Sequence, residues 1–288
     1  MDIVRETVKE LKNQHIDAVL CDIVITRMQN APWTLSYVKY DDGTLGLGMA
    51  NNETKVPDDV RFVRNLLDLN VYDALDELEN LKVKDSIFIN SLKTSITSAL
   101  SYRLMNPDTL KKAGYDAEVY EPPTLPLLNP SKFVMSSDVV VMIGFHPVAT
   151  PLCAEVAREV RVTELMDLKE LTVIDFSTKE SNLKIFSADE AKEVLKGADV
   201  VYITGETVVN ETIDKLLELS KDARIRIIYG PTCSFYPKIL FERGIDISLP
   251  IIFPNTPKFR RQFALSRGYW YSTKGIKQLL IKSAKRRI

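Results

Sequence analysis

The sequence predicts an α/β protein, in which a parallel sheet covered by helices follows a smaller α+β unit. Three observations predict it. Beyond residue 138, short continuous apolar runs such as Val139–Ile143 alternate with helical segments, the pattern of strands buried on both faces of a parallel sheet. Ahead of them, three strand-like runs between residues 18 and 50 are followed by helical periodicity to about residue 105. Between the two patterns, Pro122, Pro123, Pro126 and Pro130 mark a semi-rigid connector over 115–131. The expected domains are therefore 1–120 and 121–288.

The elements follow in order. Residues 3–13 place Ile3, Val4, Val8 and Leu11 on one helical face. Strands are expected at 18–28, 33–40 and 44–50. Asp41-Asp42-Gly43 is a hairpin turn in which glycine takes the positive φ. Helical spacing then covers 60–69, 71–81 and 86–105, and Asn106-Pro107 stops the last helix. In the second unit, strands are expected at 139–143, 171–176, 199–204, 225–229 and 246–252. Helices are expected at 149–160, 188–196, 206–219, 234–243, 256–266 and 273–285.

Hydrophobic residues make up 45% and charged residues 27% of the chain, which supports a packed core and excludes wholesale disorder. No apolar run approaches the roughly 18 residues of a membrane span. The charged start Met1-Asp2-Ile3-Val4-Arg5-Glu6 lacks a signal-peptide core, so the expected compartment is cytoplasmic, with no membrane partner. Cys21, Cys153 and Cys233 are odd in number, widely spaced and without a Cys-x-x-Cys, so they read as small buried apolar side chains. A net charge of −1 conceals an asymmetry: residues 258–288 hold ten basic residues and no acid, leaving 28 basic against 39 acidic residues elsewhere. Such an end reads as a basic helix packed on the acidic body or on a second subunit, and a homodimer is expected. The alternative, a nucleic-acid-binding tail, is disfavoured because nucleic-acid proteins usually carry a basic domain rather than one basic end.

In an open parallel sheet, ligands bind beyond the carboxyl ends of the strands. There the sequence places Gly144-Phe145-His146-Pro147, Asp175, Thr204-Gly205-Glu206-Thr207 with Asn210 and Thr212, and Gly230-Pro231-Thr232. Glycines permit close approach of a ligand to backbone N–H donors, and hydroxyl and amide side chains add directed hydrogen bonds. Asn51 and Asn52, after the third meander strand, would close the cleft from the other unit. The competing reading makes the same glycines tight βα turns, and Thr207 and Asn210 helix caps or surface residues. There is no Gly-x-Gly-x-x-Gly after the first strand and no Walker A sequence, so an ordinary dinucleotide site is not expected. His146 and Asp175 are the candidate acid–base residues. His146 and Cys233, with Asp175, are the candidate metal ligands, although no spacing in the sequence enforces their convergence. His15, on the first helix, reads as a surface or capping residue.

The stretch Thr204-Gly205-Glu206-Thr207-Val208-Val209-Asn210-Glu211-Thr212, followed by Gly230-Pro231-Thr232, resembles the DUF364 family, also called the "putative heavy-metal chelation" domain; the Gly144-Phe145-x-Pro147 loop is similar too. The region 19–106, with Leu45-Gly46-Leu47-Gly48 and the helix over 86–105, looks like its companion amino-terminal domain, DUF4213. The resemblance implies a Rossmann-like carboxy-terminal domain, an amino-terminal domain similar to the enolase amino-terminal fold, and a ligand site between them. It also implies a link to heavy-metal or tetrapyrrole metabolism. Ser98-Ala99-Leu100-Ser101 departs from the family where an Asn is expected in the long helix, and His146 stands where relatives often differ, so no metal role for His146 carries over. The expected function is binding of a small anionic or metal-chelating ligand in the interdomain cleft. The alternatives are an enzyme of transferase or lyase type using the same cleft, and nucleic-acid binding through 258–288.

Overall fold

The computed structural model describes residues 2–26, 32–52, 56–81, 86–165, 182–266, 270 and 273–283. Helix α1 (Ile3–Asn13) starts where the Asp2 carboxylate accepts the Val4 N–H at 2.8 Å. It is followed by a three-stranded antiparallel sheet of β1 (Ala18–Ile25), β2 (Trp33–Tyr40) and β3 (Leu45–Asn51), in that order. The hairpin between β2 and β3 forms as the sequence predicts, with Gly43 at φ 80° and the Asp42 carboxylate accepting the Thr44 N–H at 2.9 Å. Residues 60–69 contribute a 3-10 stretch, Arg61–Leu66, rather than a full helix. Helices α2 (Val71–Asn80) and α3 (Ser86–Ser101) follow. Helix α3 lies directly on β2 and β3, and the Ser36 and Ser95 hydroxyls meet at 2.7 Å across that interface. Helix α4 (Pro107–Lys112) is capped by Asn106, whose side chain accepts the Thr109 N–H at 3.0 Å.

The larger sheet has eight strands: β4 (Tyr115–Tyr120), β5 (Val139–Ile143), β6 (Glu159–Glu164), β7 (Leu183–Ser187), β8 (Val200–Thr204), β9 (Ile225–Gly230), β10 (Ile247–Ile252) and β11 (Lys277–Ser283). Their spatial order is β4-β11-β10-β9-β8-β5-β6-β7. Strands β5 to β10 are mutually parallel. Numbered among themselves they run 3-2-1-4-5-6, the doubly wound Rossmann order, and the strand order reverses between β5 and β8. Helices α5 (Ala149–Val156), α6 (Ala191–Val194), α7 (Glu206–Val209), α8 (Ile213–Leu219), α9 (Lys238–Glu242) and α10 (Pro257–Leu265) connect the strands. One apolar cluster packs Val141, Val201 and Ile228 against α8 and α9, and another packs Val140, Tyr202 and Ile227 against α5, so both faces are covered.

The structure corrects several expectations. The sheet is mixed, because β11 runs antiparallel between β10 and β4. The expected helix over 273–285 is therefore this strand. Ile276, Leu279 and Leu280 imitate a helical face, but Gln278, Leu279, Leu280 and Ile281 are all buried, as in an interior strand. The Gln278 side chain settles there by accepting the Leu127 N–H at 3.0 Å. The connector expected over 115–131 begins with edge strand β4. The helix expected over 149–160 stops at Val156, and the alternating run Glu159–Glu164, with Val160 and Val162 buried, forms β6. The helix expected over 206–219 breaks into α7 and α8 at Glu211, which takes φ 60°. The strand expected at 171–176 lies outside the described residues. No helix among the described residues is long and apolar enough to cross a membrane.

Candidate functional site

The strand order reverses between β5 and β8, and the carboxyl ends of the strands at such a switch point are where an open α/β sheet ordinarily holds its ligand. At the end of β5 the chain turns at Gly144, which takes φ 85°, the left-handed region glycine enters without steric cost. A Cβ there would stand 3.0 Å from Thr204 Cγ2 at the end of β8, so the two strand ends are closely apposed. Tyr229, at the end of β9, donates its hydroxyl to the Gly144 carbonyl at 3.2 Å.

The backbone donors of this loop are already used by the protein. The Gly144 N–H donates to Thr163 O at 2.9 Å, Phe145 N–H to the Glu164 carboxylate at 2.7 Å, and His146 N–H to the Thr150 hydroxyl at 3.1 Å. The His146 ring folds back over the first turn of α5, where Nδ1 accepts the N–H groups of Val148 (3.3 Å) and Ala149 (3.0 Å). His146 thus acts as a helix cap. Burial pushes its pKa down to about 4, so the imidazole is neutral at physiological pH. Because Nδ1 accepts, the single ring proton resides on Nε2. The ring stands edge-on to Tyr229 with centroids 6.0 Å apart, and Nε2 has no partner among the described residues. Phe145 and His146 are half-buried, whereas Pro147 and Val148 are exposed.

The other predicted residues divide in the same way. Gly205 is buried, its N–H donates to Tyr229 O at 2.9 Å, and a Cβ on it would lie 2.7 Å from the Cys233 N atom. Thr207 is buried and donates its hydroxyl to Thr204 O at 2.7 Å. Asn210 accepts the Thr212 hydroxyl at 2.7 Å and so shapes the break between α7 and α8. Gly230 takes φ 103° and leads into the buried turn Pro231–Cys233. Thr232 and Asn51 do meet across the two units, but as a latch: the Asn51 N–H donates to the Thr232 hydroxyl at 3.1 Å. Asn52 is fully buried, accepting from Thr34 (2.7 Å) and Ser91 (2.6 Å). Asn90 on α3 adds a second tie by donating to Val209 O at 3.0 Å. The turns led by Gly144, Gly205 and Gly230 therefore lie close together, and Thr232 and Val209, beside the last two, are hydrogen-bonded to the amino-terminal unit. Asp175 lies outside the described residues. Sequence reasoning missed Tyr229, Glu164 and Thr150; Glu164 was hidden because no strand was expected there and the first two residues of β6 read as the end of the helix over 149–160.

A metal centre does not fit the described donor set. The Nδ1 of His146 is occupied and its Nε2 carries the proton, which leaves neither nitrogen a lone pair for a metal. Cys233 is fully buried, its thiol donates to Gly230 O at 3.2 Å, and burial raises its pKa, so it is no thiolate ligand. Burial also pushes the Cys153 thiol up to about 12. Among the described residues, no three His, Cys, Asp or Glu side chains come together as a metal-binding group.

Residues 130–261 match the DUF364 family, described as "Putative heavy-metal chelation". The stretch 204–212 and the turn 230–232, which carry the sequence resemblance, fall inside that segment. The whole chain is similar in fold to a DUF364 protein of unknown function from Pyrococcus horikoshii, with 18% identity and a TM-score of 0.67 over 98% of this chain and 100% of that one. It is equally similar to a DUF364 protein of unknown function from Desulfitobacterium hafniense, with 18% identity and a TM-score of 0.68 over 97% of this chain and 98% of that one. An uncharacterised protein of Methanocaldococcus jannaschii is 25% identical over 213 residues, 73% of this chain and 71% of the relative.

Proposed function

We propose that the chain binds a small metal-chelating ligand at the carboxyl ends of β5 and β8, and that it handles metal as a preformed chelate rather than through its own side chains. The observation that carries this reading is His146: its Nδ1 is held by two backbone N–H groups, and its Nε2–H is a preoriented donor at the switch point, without a partner among the described residues. A neutral donor of this kind recognises a carboxylate or carbonyl oxygen of a chelator. Phe145 and Pro147 supply apolar surface beside it. The same tautomer argues against the enzymatic alternative with His146 as base, since the nitrogen not used by the cap already carries its proton. On this reading residues 130–261 are the ligand-binding unit. The meander with α3 is its DUF4213-like companion, which closes the rim through the contacts of Asn51 and Asn90.

Citrate tests the proposal as a small chelator of defined chemistry. Elemental analysis after dialysis against nickel alone should return well under one equivalent per chain. Nickel with citrate should raise Tm by several degrees, through preferential binding to the folded state, and His146→Asn, which keeps the cap but loses the Nε2–H, should abolish that rise. One tightly held nickel per chain without citrate, lost in His146→Ala, would overturn the reading and restore a protein-borne metal site.

A further inference from the structure

An open cleft of about 680 Å³ lies between α10 and β1, lined by half-buried Val24 and by the exposed residues Pro257, Lys258, Arg260, Arg261 and Ala264. Three cations thus surround one space. Asp22 answers Arg260 in an ion pair. Lys258 and Arg261 have no acidic partner among the described residues. These two stand three residues apart on one helix, so their like charges face the same side and repel. The first turn of α10 contains no acid, although that is where a helix favours one. Local electrostatics therefore disfavours this arrangement in the isolated chain, and such violations concentrate where a ligand restores the balance.

The size of the space and the path of the chain decide the class of ligand. A cleft of several hundred Å³ suits a small molecule. Strand β11 runs antiparallel to β10, so Lys277 lies beside Ile252, at the end of β10 from which α10 departs, and Lys282 lies beside Ile247 at the other end. Among the described basic residues of the carboxy-terminal segment, Lys282 therefore stands apart from Lys258, Arg260 and Arg261, and no single track for a polynucleotide takes in all of them. Guanidinium groups with a neighbouring ammonium match the oxygens of adjacent phosphates, where Arg binds in a fork and Lys as a point charge. We infer that the cleft between α10 and β1 is a binding site for a small molecule bearing a di- or triphosphate.

Inorganic tripolyphosphate is the probe, titrated calorimetrically into the full chain at low and moderate salt. Binding should be one-to-one, weaken with salt, and exceed that of orthophosphate at least tenfold. Arg261→Gln should weaken it about tenfold, and Lys258→Gln with Arg261→Gln should remove it. Both side chains are exposed, so an unchanged Tm of the apo variants shows that folding is not the cause. Absence of tripolyphosphate binding at low salt, or binding that survives the double substitution, overturns the inference. Tighter binding of a single-stranded 20-mer than of tripolyphosphate overturns it as well, in favour of nucleic acid.

Discussion

His146 shows how one side chain can be a cap and a donor at once, and its protonation makes both roles measurable. In the folded chain its pKa lies near 4, whereas an unfolded histidine titrates near 6.5. Between those values the unfolded chain binds the extra proton, so stability falls as pH is lowered through that window. His146→Asn keeps an acceptor for the Val148 and Ala149 N–H groups but does not titrate. Urea unfolding at pH 7 and pH 5 should therefore show the wild type losing on the order of 1 kcal/mol more than the variant, after allowance for solvent screening. Equal losses would show that the ring is solvated and its tautomer free. At this scale the sequence was only half legible. Thr207, Asn210, Thr232 and Asn52 were singled out because hydroxyls and amides at strand ends suit a ligand, and the same groups suit caps and latches. What separates the readings is the partner, and the partner of Thr232 is the backbone of Asn51, 181 residues away.

At the scale of elements, the contact of α3 with β3 depends on the absence of two side chains. A Cβ on Gly48 would lie 2.1 Å from Ser95 O and 2.3 Å from the Ala99 N atom, and one on Gly46 would lie 2.2 Å from Ala99 O. These are backbone atoms, so only separation of helix and sheet relieves the clash. Gly48→Ala should cost about 3 kcal/mol or more in chemical denaturation. Gly43→Ala, where nothing lies within 4 Å but φ is 80°, is the control and should cost only about 1–2 kcal/mol. A comparable loss in both would mean that α3 does not seat on the glycines. The meander, the long helix and the buried parallel strands were readable because each has a single period along its length. Strands β6 and β4 were not. Glu159–Glu164 adjoins helix α5 with only two residues between them, and Tyr115–Tyr120 carries Asp116 and Glu118 on an edge where charge is tolerated.

At the scale of the molecule, the carboxy-terminal segment decides whether the large sheet closes at all. Read by periodicity it is a basic helix packed on the acidic body or on a second subunit. In the structure it is β11, hydrogen-bonded to β10 on one side and β4 on the other, with Leu279 and Ile281 in the cluster that contains α3. The last strand thus carries core contacts between the edge of the Rossmann-like sheet and the helices of the amino-terminal unit. Non-local pairing of this kind leaves no trace in local sequence, because Gln278 to Ile281 look alike whether their neighbours are three residues or 160 residues away. Truncation before Lys277 should strip β4 of its one strand partner among the described residues and leave the Leu127 N–H without its Gln278 acceptor. The expected result is a chain without a cooperative thermal transition and with reduced far-UV ellipticity, whereas truncation after Ser283 should retain both. A chain ending before Lys277 that still melts cooperatively at the wild-type Tm would return this segment to the role of a peripheral tail.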